Sequence, residues 1–406
     1  MSNRRTAARL LGAGGAVALA ASVVLAGAPA ALAAPGWEIG AMSVAAVWPT
    51  SEGDGVTVAV VDSGIRTDHP VLKGRATEGP DQLGETDQHE KWYGLHGTAM
   101  ASSVLDVAPK AKVVGYRVLR DEGDPDFTDE PVGPATGTQQ KANPTRTAIT
   151  EAVRSGADVI SLSLGSISNI AQFYDDGVAA DIAYANSKGV VVVAAAGNEG
   201  EEGNVISYPA NFPGVIGVGA ATPSGKAASF SNVHSYVDVL APGTKINAAD
   251  ARTKGRVEIE GTSSATALVS GVVALIKSKY PDLAPRQVEQ LLIQTASRYR
   301  SGHSPQTGYG MVDADAAMKA AAALKPEPAV LPAKEHGDPA HFGPGDDGTP
   351  ARVGQPFDWT YVLLALGGLV PGLVMILVGA LLVRSARRAR RSGVPAPALP
   401  PPAPIR

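Results

Sequence analysis

Residues 56–64 read Val-Thr-Val-Ala-Val-Val-Asp-Ser-Gly, a short β-branched run that stops on a carboxylate and a glycine turn. The run is too short for a helix and lacks apolar–polar alternation, so it predicts a strand buried on both faces. Similar runs recur at Val113–Val118, Asp158–Leu164, Val190–Ala196 and Val215–Val218, each bounded by Gly, Pro or Asp. Helices are predicted between and after them at Thr98–Val107, Thr145–Arg154, Ala179–Ser187, Ser264–Lys279 and Pro285–Ala296. Strands alternating with helices predict an α/β fold of three layers, a mostly parallel central sheet with helices on both sides. In such sheets functional groups collect beyond the carboxyl ends of the strands, which is where Asp62 stands.

Composition narrows the chemistry. Of 406 residues, 44% are hydrophobic and 18% charged, which excludes wholesale disorder. A net charge of −4 and only 5% aromatic residues argue against nucleic acid as a partner, since both a basic footprint and stacking platforms are missing. Cysteine is absent, which removes disulfides, thiolate metal sites and a cysteine nucleophile.

The two ends are directed at membranes. Residues 1–34 begin with Arg4, Arg5 and Arg9, continue as an apolar run and end in Ala31-Leu32-Ala33, the layout of a secretory signal peptide; the alternative is an uncleaved anchor. Near the other end, Tyr361–Val383 is an uncharged apolar run long enough to cross a bilayer, within a predicted transmembrane segment 358–383. Trp359 and Tyr361 suit its outer interface, and Arg384, Arg387, Arg388, Arg390 and Arg391 place the basic, Pro-rich tail, 384–406, in the cytoplasm. Pro371 inside the run is compatible with a span. Residues 325–357 are rich in Pro, Gly and Asp and read as a solvated linker, with His336 and His341 as surface residues. The expectation is a domain over residues 35–324, outside the cytoplasm and tethered by one helix.

Three stretches carry chemistry. Val60-Val61-Asp62-Ser63-Gly64 ends a strand in a carboxylate that is either functional or a turn former. Leu95-His96-Gly97-Thr98-Ala99-Met100 opens a small-residue helix with a histidine, either a base or a plain loop residue. Gly261-Thr262-Ser263-Ser264-Ala265 leads into an apolar helix, where a serine is either an N-cap or a nucleophile beside the free amides of the helix start. Together they form a chemical set. A serine hydroxyl needs a base, imidazole is the suitable base, and imidazole needs a carboxylate to fix its tautomer.

The chain resembles the subtilisin-like serine proteases, or subtilases, through Val-Ala-Val-Val-Asp62, His96-Gly-Thr-Ala-Met-Ala, Gly-Thr-Ser263-Ser-Ala and Ala-Ala-Ala-Gly-Asn198-Glu-Gly, in that order. The resemblance spans most of residues 37–320. It implies that Asp62 orients the base, His96 is general base and acid, Ser263 is the nucleophile, and Asn198 donates to the oxyanion beside the Ser263 amide. Ser163, Leu164 and Gly165 match the stretch whose backbone lines the substrate cleft. Ser264 is the rival nucleophile, disfavoured by the register of Gly261-Thr262.

The sequence also departs from the family. Ala267 and Leu268 stand where a proline usually follows the small residues after the nucleophile. Val71 occupies the position of a family calcium ligand. The acidic stretch Asp121, Glu122, Asp124, Asp126, Asp129 and Glu130 reads as either a cation site or a solvated loop, the solvated loop being favoured, so no required metal and no cofactor is expected. No long folding pro-segment is expected either. The signal peptide, linker, single span and basic tail resemble the mycosins, membrane-anchored proteases of type VII secretion systems, and Trp37 and Trp48 suit their N-terminal extension. The absence of cysteine departs from many mycosins. The resemblance implies a serine endopeptidase acting on exported or envelope proteins, with the secretion machinery as partner. Alternatives are a structural subunit with dispensable protease activity and a general surface protease.

Overall fold

The computed structural model describes residues 36–84, 87–127, 143–165, 175–297, 302–329, 375–385 and 387–388. The chain divides into two units, residues 1–332 and 333–406. In the first, the elements run α1 (Trp37–Ala41), a 3-10 turn (Val44–Ala46), β1 (Thr57–Asp62), β2 (Ala76–Glu78), α2 (Leu95–Val107), β3 (Lys112–Arg117), α3 (Pro144–Arg154), β4 (Val159–Leu162), α4 (Asp176–Ser187), β5 (Val191–Ala195), β6 (Val215–Ala221), β7 (Val239–Pro242), β8 (Ile246–Ala249), β9 (Arg256–Ile259), α5 (Thr262–Lys279), α6 (Pro285–Thr295) and α7 (Ala314–Ala321).

Among the described residues, β1 to β7 form one parallel sheet in the order β2-β3-β1-β4-β5-β6-β7, and β8 and β9 form a separate antiparallel hairpin. From β1 the chain passes to the edge strand β2, comes back through β3 beside β1, and then takes β1's other side with β4, pairing Val58 with Val159 and Val60 with Ser161. The order therefore reverses beside β1, and the carboxyl ends of β1 and β4 open on the crevice where α/β sheets bind ligands.

Why β1 lacks polar alternation is now plain. Val58 and Val60 pack with α2 and α5 on one face, while Ala59 and Val61 pack with α3 and α4 on the other. A strand sandwiched between two helical layers is apolar at every position. Helix α5 is buried almost throughout, and two of its interior hydroxyls are satisfied locally: Thr266 Oγ1 donates to the Thr262 carbonyl at 2.8 Å and Ser270 Oγ to the Thr266 carbonyl at 2.9 Å. Helices α2 and α5 pack closely at Gly271, where an added Cβ would lie 2.6 Å from the Val107 Cβ. Trp37 and Trp48 are partly buried on this layer, their indole N–H groups donating to Thr244 and Val107 carbonyls at 3.0 and 2.9 Å.

Two expectations change. Helix α2 starts at Leu95 rather than Thr98, so His96 lies in its first turn and is not a loop histidine. The acidic stretch is not simply a solvated loop. Asp124 is 6% exposed, and its carboxylate accepts from the buried Arg117 guanidinium at 2.6 Å. Asp129 and Glu130 lie outside the described residues.

The predicted signal peptide, 1–34, lies outside the described residues, as does the linker from residue 330 onward, with His336 and His341. The predicted span Tyr361–Val383 lies outside them up to residue 374. Residues 375–385 of the second unit are helical with exposed side chains. Among the described residues, no helix is long and apolar enough to cross a membrane.

Candidate active site

Asp62, the last residue of β1, is fully buried, and His96 in the first turn of α2 faces it. The imidazole Nδ1 lies 2.8 Å from Asp62 Oδ1 and 3.0 Å from Oδ2. An ionised carboxylate only accepts, so Nδ1 carries the proton and the neutral ring keeps its lone pair on Nε2. The Ser63 amide donates to the same Asp62 Oδ1 at 2.7 Å, which helps to fix the carboxylate. Close approach requires a glycine at 97: an added Cβ would stand 2.1 Å from the Gly64 carbonyl oxygen.

Asp121 holds this arrangement from behind. Its carboxylate accepts from the Leu95 amide at 2.5 Å and from the His96 amide at 3.2 Å, satisfying donors that a helix start leaves free. Burial raises the Asp121 carboxyl above its ordinary range, against the pull of the Ser63 hydroxyl, and Asp62's charge adds to the rise. For His96, burial pulls the imidazole down, but Asp62's charge and hydrogen bond, with Asp121's charge, more than offset it and push it up to about 9. With 38% of the side chain exposed, water screens part of this push.

Ser263 lies at the start of α5, after Gly261, whose φ of 142° is open to glycine alone. It is partly exposed, whereas Ser264 is 1% exposed with a hydroxyl that has no partner among the described residues. The Ser263 hydroxyl donates to the Ser163 carbonyl at 3.2 Å, and among the described residues no hydrogen bond joins it to His96. The expected row of three is thus made at its Asp62–His96 link, and the serine hydroxyl is parked on the residue just beyond the carboxyl end of β4. Such links often tighten only when substrate binds.

Asn198 follows β5 and is exposed. Its side-chain oxygen accepts from the Thr262 amide at 2.8 Å and the Thr262 hydroxyl at 2.9 Å. Two donors on Oδ1 fix the flip, leaving Nδ2 free to donate beside the start of α5. Thr262, the residue that aims Asn198, was not singled out from sequence for this role, though it lies inside the Gly-Thr-Ser-Ser motif. Ser163, Leu164 and Gly165 follow β4, and Ser163 Oγ donates to the Ser263 carbonyl at 3.0 Å. Gly165 leaves no room for a side chain, since an added Cβ would meet Ser207 Oγ at 2.4 Å.

A cavity of about 290 Å³ opens beside His96, between α2 and the β8–β9 hairpin, with Met100, Glu122, Arg252, Ile259 and Glu260 among its walls. Among the described residues no three His, Cys, Asp or Glu side chains cluster as metal ligands. At the family's calcium position, the Val71 carbonyl accepts from the Arg75 guanidinium, which also donates to the Pro109 carbonyl at 3.0 Å. That carbonyl is already served by a cation from the chain, so the residues do not fit a divalent ion there.

A family model, that of the subtilase family, matches residues 53–312, which include every side chain above. The chain belongs to the subtilase family. It is a subtilisin-family serine protease. Subtilisin DY from Bacillus licheniformis is 35% identical over 276 residues, covering 66% of this chain and 92% of that protein. Among solved structures, the MycP3 protease from the type VII (ESX-3) secretion system aligns with a TM-score of 0.57 and 30% identity over 70% of this chain and 87% of that one. MycP1 from the ESX-1 type VII secretion system aligns with a TM-score of 0.58 and 26% identity over 73% and 88%.

Proposed function

We propose that this subtilase is a membrane-tethered, extracytoplasmic serine endopeptidase of mycosin type, which cleaves exported or envelope proteins in company with a type VII secretion system. Asp62, His96 and Ser263 are its triad, and Asn198 its oxyanion donor. The observation that carries the chemistry is the Nδ1–H of His96 on Asp62 at 2.8 Å, which leaves Nε2 free for the Ser263 proton. The hydroxyl leaves the Ser163 carbonyl as substrate enters and passes its proton to Nε2 while Oγ bonds to the scissile carbon. The resulting oxyanion is met by Asn198 Nδ2 and the Ser263 amide at the start of α5. His96 then returns the proton to the leaving amine, and water repeats the sequence on the acyl-enzyme.

Support for the location comes from the Tyr361–Val383 run with its arginine cluster, and for the subfamily from the likeness to MycP3 and MycP1. A fluorophosphonate probe should label the wild-type protein in the membrane fraction and fail to label Ser263→Ala. Undiminished labelling of Ser263→Ala overturns the nucleophile, and labelled protein in the soluble fraction overturns the tether. Pull-down of the full chain without any secretion-channel subunit overturns the partner.

A further inference from the structure

We propose that Glu78 is a positioning residue for the Asp62–His96 pair, tying the turn that follows Asp62 to the segment that leads into His96. The proposal rests on the triad reading above. Glu78 ends β2 at the edge of the sheet, in no motif that pointed to chemistry. Its Oε1 accepts from the Ile65 amide and, at 3.0 Å, from the Tyr93 hydroxyl. Ile65 is three residues after Asp62, and Tyr93 is three before His96. One oxygen therefore grips both flanks of the site.

The grip reaches the site through rigid contacts. Tyr93 is 2% exposed and its ring lies on Gly64, where an added Cβ would be 2.6 Å from the phenol. Gly64 and Gly94 both hold positive φ, 89° and 67°, so the two turns interlock with no side chain between them. Gly97, next to His96, packs on the same Gly64 carbonyl and near the Asp62 Cβ. A shift of the Gly64–Ile65 turn thus moves the carboxylate and the imidazole relative to one another.

The carboxylate is costly where it stands. Its Oε2 is buried with no partner among the described residues, close over Gly115 of β3. Burial pushes Glu78 up to about 7, opposed by the Ile65 amide and the Tyr93 hydroxyl, with Asp81 raising it further and Arg117 lowering it. Those are the charged and titratable groups that face it: Tyr93 ahead of α2, Asp81 beyond β2 and Arg117 on β3. A leucine would fill the same space without a buried charge, but it would leave the Ile65 amide and the Tyr93 hydroxyl unpaired. Only an acceptor oxygen joins the two segments.

Steady-state kinetics of Glu78→Leu, Glu78→Gln and Tyr93→Phe test this. Glu78→Leu should lower kcat about 10-fold to 100-fold, the scale of a misplacement near 1 Å, with KM nearly unchanged. The acid limb of its kcat/KM profile should move to lower pH as Asp62 loses its hold on His96, a change that loss of stability alone would not produce. Glu78→Gln keeps the acceptor and should retain most of kcat. Tyr93→Phe should lose part of it, and adding Tyr93→Phe to Glu78→Leu should cost nothing more. Wild-type kcat in Glu78→Leu overturns the proposal, as does a kcat loss with the pH limb unmoved. If Glu78→Leu fails to fold, a kcat loss in Glu78→Gln as large as in Tyr93→Phe overturns it. Failure of the triad reading is separate: it shows as probe labelling of Ser263→Ala, whatever Glu78 does.

Discussion

Ser163 and Ser263 exchange hydrogen bonds: Ser163 Oγ donates to the Ser263 carbonyl at 3.0 Å, and Ser263 Oγ donates to the Ser163 carbonyl at 3.2 Å. The first bond anchors the backbone at the start of α5; the second holds the hydroxyl on the backbone that follows β4. The neighbouring Ser264 is sealed inside. Ser263→Ala should therefore remove about six orders of magnitude from kcat, a scale known from subtilisin itself. Ser264→Ala should retain activity and fluorophosphonate labelling. Mass spectrometry of the labelled peptide distinguishes the two serines, and a probe found on Ser264 would reverse the assignment.

The Asp62–His96 bond sets the pH response. His96 must be neutral at Nε2 to take the serine proton, and Asp62 favours its charged form. The acid limb of kcat/KM is expected above the ordinary imidazole value of 6.5, toward about 9. Asp62→Asn should move the limb down and cut the rate. Stability runs the other way. A folded-state value raised above the unfolded one stabilises the fold fully below about 6.5 and loses that contribution as pH climbs through about 9. The melting temperature of wild type relative to His96→Ala should accordingly fall across that window.

Asn198 is exposed, and its amide is aimed by Thr262 alone among the described residues. Asn198→Ala should lower kcat about 10²-fold to 10³-fold with little change in KM, the magnitude being that of the equivalent asparagine in subtilisin. Thr262→Val removes the hydroxyl but keeps the amide donor, so a smaller loss of the same kind is expected. Burst kinetics with an activated ester check both: acylation slows, while binding does not. A change confined to KM would show that Asn198 touches the ground state instead.

Asp62 ends β1, His96 and Ser263 lie in the first turns of α2 and α5, and Asn198 follows β5 beside Gly197, so the sequence could point to them where residue type and glycine punctuation are most informative. Strands β1 and β5 are legible because both of their faces are buried. Strand β2 is not, since Ala76-Thr77-Glu78 is three residues long and carries no apolar run. Its carboxylate gains meaning only when β2 pairs with β3 and the chain brings Tyr93 back over Gly64. Asp121 was hidden by its company: in a row of acids, the one that accepts from helix amides reads like the others. The β8–β9 hairpin escaped because its exposed strand, Arg256–Ile259, has no buried face to set a period.

Arg117 shows how the acidic stretch supports the fold. Its guanidinium is 2% exposed, pairs with Asp124 at 2.6 Å and Asp81 at 2.9 Å, and lies 5.5 and 5.6 Å from the Trp92 and Tyr93 ring centres. Removing one side of a buried pair strands the other's charge, which costs about 3–5 kcal/mol. Arg117→Met should destabilise by that order, since Asp124 is left with the partly exposed Arg120 at 3.1 Å as its cation and with the Asp126 amide at 2.9 Å. Adding Asp124→Leu should recover part of the loss, as the orphaned carboxylate is then gone. Burial pushes Asp124 up, but the Asp126 amide, Arg120 and Arg117 outweigh it and hold the carboxyl below its ordinary value. Its stabilising contribution is therefore present above about pH 3.8 and lost as pH falls through the lowered value. Urea unfolding of the two variants at pH 7 and pH 3 measures both effects. Equal stability of wild type and Arg117→Met at pH 7 would show that the pair contributes nothing to the fold.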